Sequence, residues 1–237
     1  MRISSYAIVD TTDSIDLVLR PSRVPEILQK ILVLGFCALL IFAVLAFGAV
    51  DEWSTFAFEA GAALLFLVWA GEKLVSKKIE LSKNPLYLPA FLFFGLILAQ
   101  IALRRSAYGY VTKYEALQYV SYGIVLLIGA ESVREESARK LFALVMIAFG
   151  VSYAFFALAQ QLTPNGKIFW VHSPQFHGAI YGSYVNRDHY AGLMEMLVPI
   201  PFVLSMGHLL RGGKRALVGF CALLIFAALA FGAVDEW

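Results

Sequence analysis

Arg187, Asp188, His189 and Glu195 fall within nine residues of one another, in the run Tyr184-Val185-Asn186-Arg187-Asp188-His189-Tyr190-Ala191-Gly192-Leu193-Met194-Glu195-Met196, and the sequence that follows is strongly apolar. Ionisable groups at the mouth of an apolar segment are expensive to desolvate, so they cap a helix, bind something charged, or do both. Asn186 is a good N-cap, which predicts Arg187, Asp188 and His189 at the first three helical positions. Backbone N–H groups there are unpaired and the helix dipole attracts anions. Arg187 adds a planar guanidinium fork that matches phosphate oxygens. Capture of a phosphate or diphosphate is the chemistry this permits. An equally physical alternative is that Asn186 caps, Asp188 complements the dipole, and nothing binds.

Helical spacing places Asp188 and Glu195, seven apart, on one face with Ala191 and Gly192, and His189, Leu193 and Met196 on a neighbouring stripe. Gly192 is expected to let another helix approach closely. Glu195, about two turns in, must pair with a basic group, be protonated, or meet water. Pro199 and Pro201 predict a kink. Arg104, Arg105 and Lys113 sit near the end of an earlier apolar run, where they either face the same diphosphate or snorkel to lipid head groups. Glu59 reads as a side chain reaching the membrane interface. A histidine can act as a general base near neutral pH, but no carboxylate at a diagnostic spacing accompanies His172 or His177. His208 attracts no functional argument. Metal-ligand spacing is absent, and Cys37 and Cys221 read as small buried apolar residues rather than a disulfide.

The elements that must carry these groups are apolar. Of 237 residues 60% are hydrophobic and 15% charged, and the mean hydropathy is +0.73, which excludes an ordinary soluble domain. Seven runs approach the roughly 20 residues a helix needs to cross a bilayer: 31–50, 56–75, 86–103, 116–133, 141–162, 190–210 and 217–234. The expected fold is therefore an all-α integral membrane protein of about seven spans with one longer connection, 163–189. Trp53, Trp69, Trp170 and Tyr110 read as interfacial anchors.

Positive charge orients the spans. With the N-terminus inside, fourteen of the 19 Lys and Arg residues fall in inner segments and five in outer ones: Arg104, Arg105, Lys113, Lys167 and Arg187. That bias predicts a cytoplasmic N-terminus and an outer 163–189 loop. Segment 1–30 is then a cytoplasmic N-terminal segment, 31–210 a six-span membrane domain, and 211–237 a cytoplasmic loop with a seventh span. No signal-peptide pattern opens the chain, so the first span is expected to be an uncleaved anchor. Nothing points to a nucleic-acid partner.

One repeat stands out. Segment 35–53 reads GFCALLIFAVLAFGAVDEW and 219–237 reads GFCALLIFAALAFGAVDEW, differing only at Val44 and Ala228. Apolar packing tolerates exchange, so near-identity implies a very recent duplication, a truncation, or an assembly artefact.

Two blocks carry a family resemblance. Phe47-Gly48-Ala49-Val50-Asp51-Glu52-Trp53-Ser54 ends an early span with an acidic-Trp-Ser turn, and 184–199 contains an Asn-x-x-His-aromatic-Ala-Gly segment leading into a Met-Glu-Met and Pro pattern. Over about 35–210 the chain resembles the O-antigen ligase and polymerase family of bacterial envelope glycosyltransferases. Asp188 stands where that family usually has a second Asn. The resemblance implies an inner-membrane, multi-pass enzyme of cell-envelope and lipopolysaccharide biosynthesis. It would move a glycan from a polyprenyl diphosphate carrier to a glycan or lipid acceptor such as lipid A core, without a metal ion or other cofactor. Asn186, Arg187, His189, Arg104 and Arg105 would bind the diphosphate, with Asp188 and Glu195 supporting. Family members carry further spans and a larger late outer loop that supplies the catalytic His and an essential Arg. Neither has a matching position here, so the catalytic residues stay unassigned and this chain corresponds to the family's N-terminal part. A transporter or flippase-like carrier, suggested by Glu59, Glu195 and the prolines, and a non-catalytic membrane fragment are the competing readings.

Overall fold

The computed structural model describes residues 24–77, 81–173, 180–206 and 212–234; His177 and His208 lie outside them. Among the described residues the chain is helical, with α1 (Val24–Leu45), α2 (Glu52–Ser76), α3 (Tyr87–Ala102), α4 (Gly109–Ser132), α5 (Glu136–Leu162), α6 (Arg187–Leu197), α7 (Pro199–Met206) and α8 (Gly213–Val234). Every apolar run of the sequence corresponds to a helix, the sixth broken into α6 and α7. Five segments are long and apolar enough to cross a membrane: Glu26–Leu45, Glu52–Ser76, Glu136–Leu162, Arg187–Met206 and Gly213–Ala230. This composition fits a multi-pass membrane protein.

Two of the seven expected spans depart from that set for physical reasons. Helix α3 has 16 residues, about 24 Å of rise against roughly 30 Å of hydrocarbon. Helix α4 is long enough but carries Lys113, Glu115 and Glu131 and a series of tyrosines. No residue of α3 is buried, and Phe91, Leu92 and Leu98 on it lie mostly exposed, as a lipid-facing helix requires.

Neighbouring helices run in order across the bundle. α3 packs on α4, α4 on α1 and α2, α1 on α5, and α5 on α7 and α8, with α6 packed chiefly on α8. In lipid, apolar area alone does not drive helices together, so close packing and interhelical hydrogen bonds must. The α1–α2 contact supplies the first: a Cβ on Gly35 would lie 2.5 Å from the Leu65 side chain, and one on Gly61 would lie 2.7 Å from Leu39. Each leucine fills the gap left by the other helix's glycine.

Hydrogen bonds fasten the end of the bundle remote from the 163–186 loop. Gln29 Nε2 donates to the Ser132 carbonyl at 2.7 Å, tying the start of α1 to the end of α4. Glu131 Oε1 accepts from the Ser82 amide at 2.8 Å, the Ser82 hydroxyl at 2.6 Å and the Tyr87 hydroxyl at 2.8 Å. Arg134 lies 3.5 Å from its other oxygen. A buried carboxylate is tolerated here because three donors and a cation satisfy it. Lys73 likewise pairs with the buried Glu72 at 3.2 Å.

Glu131→Ala should leave Ser82 and Tyr87 without their acceptor and lower stability by roughly 2–4 kcal/mol. Tyr87→Phe, removing one donor, should cost about 1 kcal/mol. Thermal unfolding in detergent micelles reads both, and equal melting temperatures for the wild type and Glu131→Ala would refute the assignment.

Candidate functional site

The opposite end of the bundle gathers the chemistry-bearing residues. Helix α1 stops at Leu45, and Phe47, Gly48 and Ala49 take positive φ values of 57°, 78° and 55°. The carbonyls at the end of a helix have no partner within it. Ser183 Oγ donates to the Val44 carbonyl of the last helical turn at 2.5 Å, and Thr55 Oγ1 donates to the Ala49 carbonyl of the turn that follows at 2.9 Å. The turn also packs against the long loop, because the Phe47 ring stacks on His172 at 4.9 Å and meets Phe169 at 5.9 Å.

Ser183 belongs to a closed arrangement with Tyr153 of α5. Its amide donates to the Tyr153 hydroxyl oxygen at 2.9 Å, and the two hydroxyls lie 2.7 Å apart. With Ser183 Oγ donating to Val44, the Tyr153 hydroxyl is left to donate to Ser183, so each group has a partner. Gly182 makes this approach possible: its φ is +63°, and a Cβ there would sit 2.5 Å from the Tyr153 hydroxyl. A backbone bridge between Tyr181 and Tyr184 closes the turn, and Tyr181 stacks on Tyr190 at 5.6 Å.

From this anchored loop the chain enters α6. Asn186 has φ −109° and ψ 121°, and its Oδ1 accepts the Asp188 amide at 2.8 Å, so it forms the predicted N-cap. Tyr190, Leu193, Met194 and Leu197 are buried at helical spacing, and they orient α6 by packing toward Tyr153 and Ile225. Asp188, His189 and Glu195 are exposed on other faces, and Arg187 is half-buried. Arg187 Nε lies 3.9 Å from Asp188 Oδ1, and the His189 ring is 6.2 Å from Tyr184. Burial pushes the Tyr184 hydroxyl above its usual range. The break between α6 and α7 falls at Val198, directly before Pro199.

Asn186, Arg187, Asp188 and His189 thus share one helix start, with Glu195 further along the same helix. Glu195 makes no hydrogen bond or ion pair among the described residues. Gly192 has nothing within 4 Å of its Cβ position, so no described helix uses it for close approach. Arg104, with φ 49°, and Arg105 are exposed where α3 leads into α4. They lie at the same end of the bundle, but α4, α1 and α5 stand between them and α6. Among the described residues no group of His, Cys, Asp and Glu gathers to hold a metal, and both cysteines are free.

Tyr153, Gly182, Ser183 and the Val44 carbonyl escaped the sequence reading. Their only linear signal is Gly182 between flanking tyrosines in Tyr181-Gly182-Ser183-Tyr184. What the fold adds is proximity of the two sequence blocks: Gly48 of the first lies against Tyr184 of the second, with 3.5 Å between its Cβ position and the ring. No protein-family model, curated protein or solved structure matches the chain.

Tyr153→Phe should lower stability by about 1–3 kcal/mol, because the Ser183 amide is left buried without its acceptor. Gly182→Ala should be worse, adding backbone strain to a steric clash. Amide hydrogen exchange at 181–184 should rise in both variants while exchange in α2 stays at the wild-type level. Unchanged protection at 181–184 would argue against the anchor.

Proposed function

We propose that this chain forms the carrier-lipid corner of a bacterial inner-membrane glycosyltransferase of O-antigen ligase type, which moves a glycan from a polyprenyl diphosphate to a glycan or lipid acceptor. The observation that carries the proposal is that the two blocks of the family resemblance, far apart in sequence, meet where Gly48 lies against Tyr184, next to the hydrogen bond that ties Ser183 to Val44 just outside them. Blocks that resemble one family for unrelated reasons have no cause to share a surface.

In this reading the loop end of the bundle faces outward, the N-terminus is cytoplasmic, and α3 and α4 complete seven spans. The charge bias supports that orientation. The capped start of α6 offers the positive end of its helix dipole and the Arg187 guanidinium to a diphosphate at the membrane surface. Asp188 beside Arg187 keeps the guanidinium oriented when no anion is bound and competes with the anion for it. Exposed and adjacent, His189 hydrogen-bonds the diphosphate or the acceptor hydroxyl. Arg104 and Arg105 contact lipid phosphates on the α3 flank. The base that activates the acceptor belongs to the family's later outer loop, to which no position here corresponds.

In membranes carrying the protein with its natural partners, Arg187→Ala should reduce glycan transfer at least about tenfold, the scale of one lost charged contact. Membrane insertion should be unchanged. Transfer at the wild-type rate would sink the site. A carrier protein is the competing reading, favoured by the exposed, unpartnered Glu195. Proteoliposomes separate the two: glycan transfer without proton flux is expected, and flux abolished by Glu195→Gln would instead support a carrier.

A further inference from the structure

A second concavity opens on the other side of the Phe47–Ala49 turn. It measures about 670 Å³ and lies between that turn, the start of α2 and the first half of α4. Its lining includes Glu52, Tyr110, Tyr114, Glu115, Gln118 and Tyr122. Tyr110, Tyr114, Gln118 and Tyr122 recur every four residues, so α4 presents them as one stripe along the cleft. This size lies within the range of small-ligand sites, roughly 300–1,000 Å³.

The chemistry of the lining is specific. Tyrosine rings offer flat apolar faces of the kind that stack on the C–H faces of pyranose rings, and their hydroxyls add polar tips. Tyr110 and Tyr114 are 82% and 50% exposed, so these faces are open. Glu52 and Glu115 form no ion pair among the described residues, and no basic residue lines the cleft. Two unpaired carboxylates accept hydrogen bonds from neighbouring hydroxyls, while repelling phosphate and acidic sugars. Gln118 donates to the Tyr122 hydroxyl at 2.7 Å, which leaves its carbonyl oxygen free to accept from a sugar. A belt of tyrosines that merely marks a membrane surface needs neither the carboxylates nor the concavity.

We propose that this cleft binds a neutral oligosaccharide. Gly48 lines it on one side and meets Tyr184 beside the Asn186 helix start on the other. A cationic corner for a diphosphate and an anionic, aromatic cleft for its uncharged sugars therefore flank one turn. Saccharide binding rests on the cleft's own lining; only its coupling to the corner rests on the glycosyltransferase reading.

The test uses the full chain in lipid nanodiscs and saturation-transfer NMR. Chitotetraose and maltotetraose serve as neutral probes and a heparin tetrasaccharide as the anionic one. At least one neutral probe should receive saturation on its ring protons, and the heparin fragment should receive none. Replacing both Tyr110 and Tyr114 by Ala should weaken neutral-probe binding at least about fivefold, the scale of lost ring stacking. Tyr110→Ala alone, at a largely exposed position, keeps the fold and should weaken binding in the same direction. Glu115→Gln should admit the anionic probe. Arg187→Ala should leave neutral-saccharide binding intact, so loss of glycan transfer in that variant and loss of saccharide binding in the tyrosine variants report separately. Binding that survives the double tyrosine replacement, or no binding of either neutral probe, overturns the proposal.

Discussion

The carbonyls freed where α1 breaks are the constraint on which the loop end of this protein depends. The last carbonyls of a helix and those of the turn that follows have no partner within the helix, so groups from elsewhere must donate to them. Here one donor, Thr55, is six residues away from its acceptor, and the other, Ser183, is 139 residues away. The distant donor is the consequential one. To place Ser183 at Val44, the loop after α5 must fold back over the bundle, and Tyr153 and Gly182 must hold it there. The start of α6 then inherits its position from that anchor.

The remote end obeys the same rule with different groups. Glu131 collects Ser82, Tyr87 and Arg134, and Gln29 reaches the Ser132 carbonyl. Between the two ends the helices rely on shape, most plainly where Leu65 fills the space over Gly35 and Leu39 that over Gly61. Polar anchoring at both ends with close packing between them is what a medium without a strong hydrophobic drive between helices demands. It also leaves the side chains at the loop end free for chemistry.

The electrostatics of that end are divided by one turn. Asn186 and Arg187 lie on the α6 side, at a capped helix start with Asp188 beside them; Glu52 and Glu115 lie on the α4 side, among tyrosine rings. A molecule with a charged head and neutral sugars would find each part complemented across a few residues of backbone. The positive φ values at Phe47, Gly48 and Ala49 make that turn sharp enough to serve both sides.

Much of this was legible in the linear order of residues. The seven apolar runs became helices because length and apolarity decide helicity in lipid. Asn186 became a cap and Pro199 opened a new helix because both effects act within a few residues. The meeting of the two resemblance blocks was not legible, since it depends on Ser183 finding Val44. Nor was the cleft, whose walls come from two separate segments.

The repeat separates the two kinds of information most cleanly. Segments 35–53 and 219–237 differ at one residue, and residues 35–45 of the first and 219–234 of the second are helical, as their composition requires. Yet Phe47, Gly48 and Ala49 form a left-handed turn while their counterparts Phe231, Gly232 and Ala233 continue α8. The buried faces differ as well: Phe36 and Leu39 are buried where Phe220 and Leu223 are 56% and 66% exposed. Apolar sequence alone determined that these segments would be helical, because the backbone must satisfy itself in lipid. Which face is buried, and whether the helix breaks, was decided by neighbours. Ser183, Thr55 and His172 surround the first copy's turn and accept the cost of bending it.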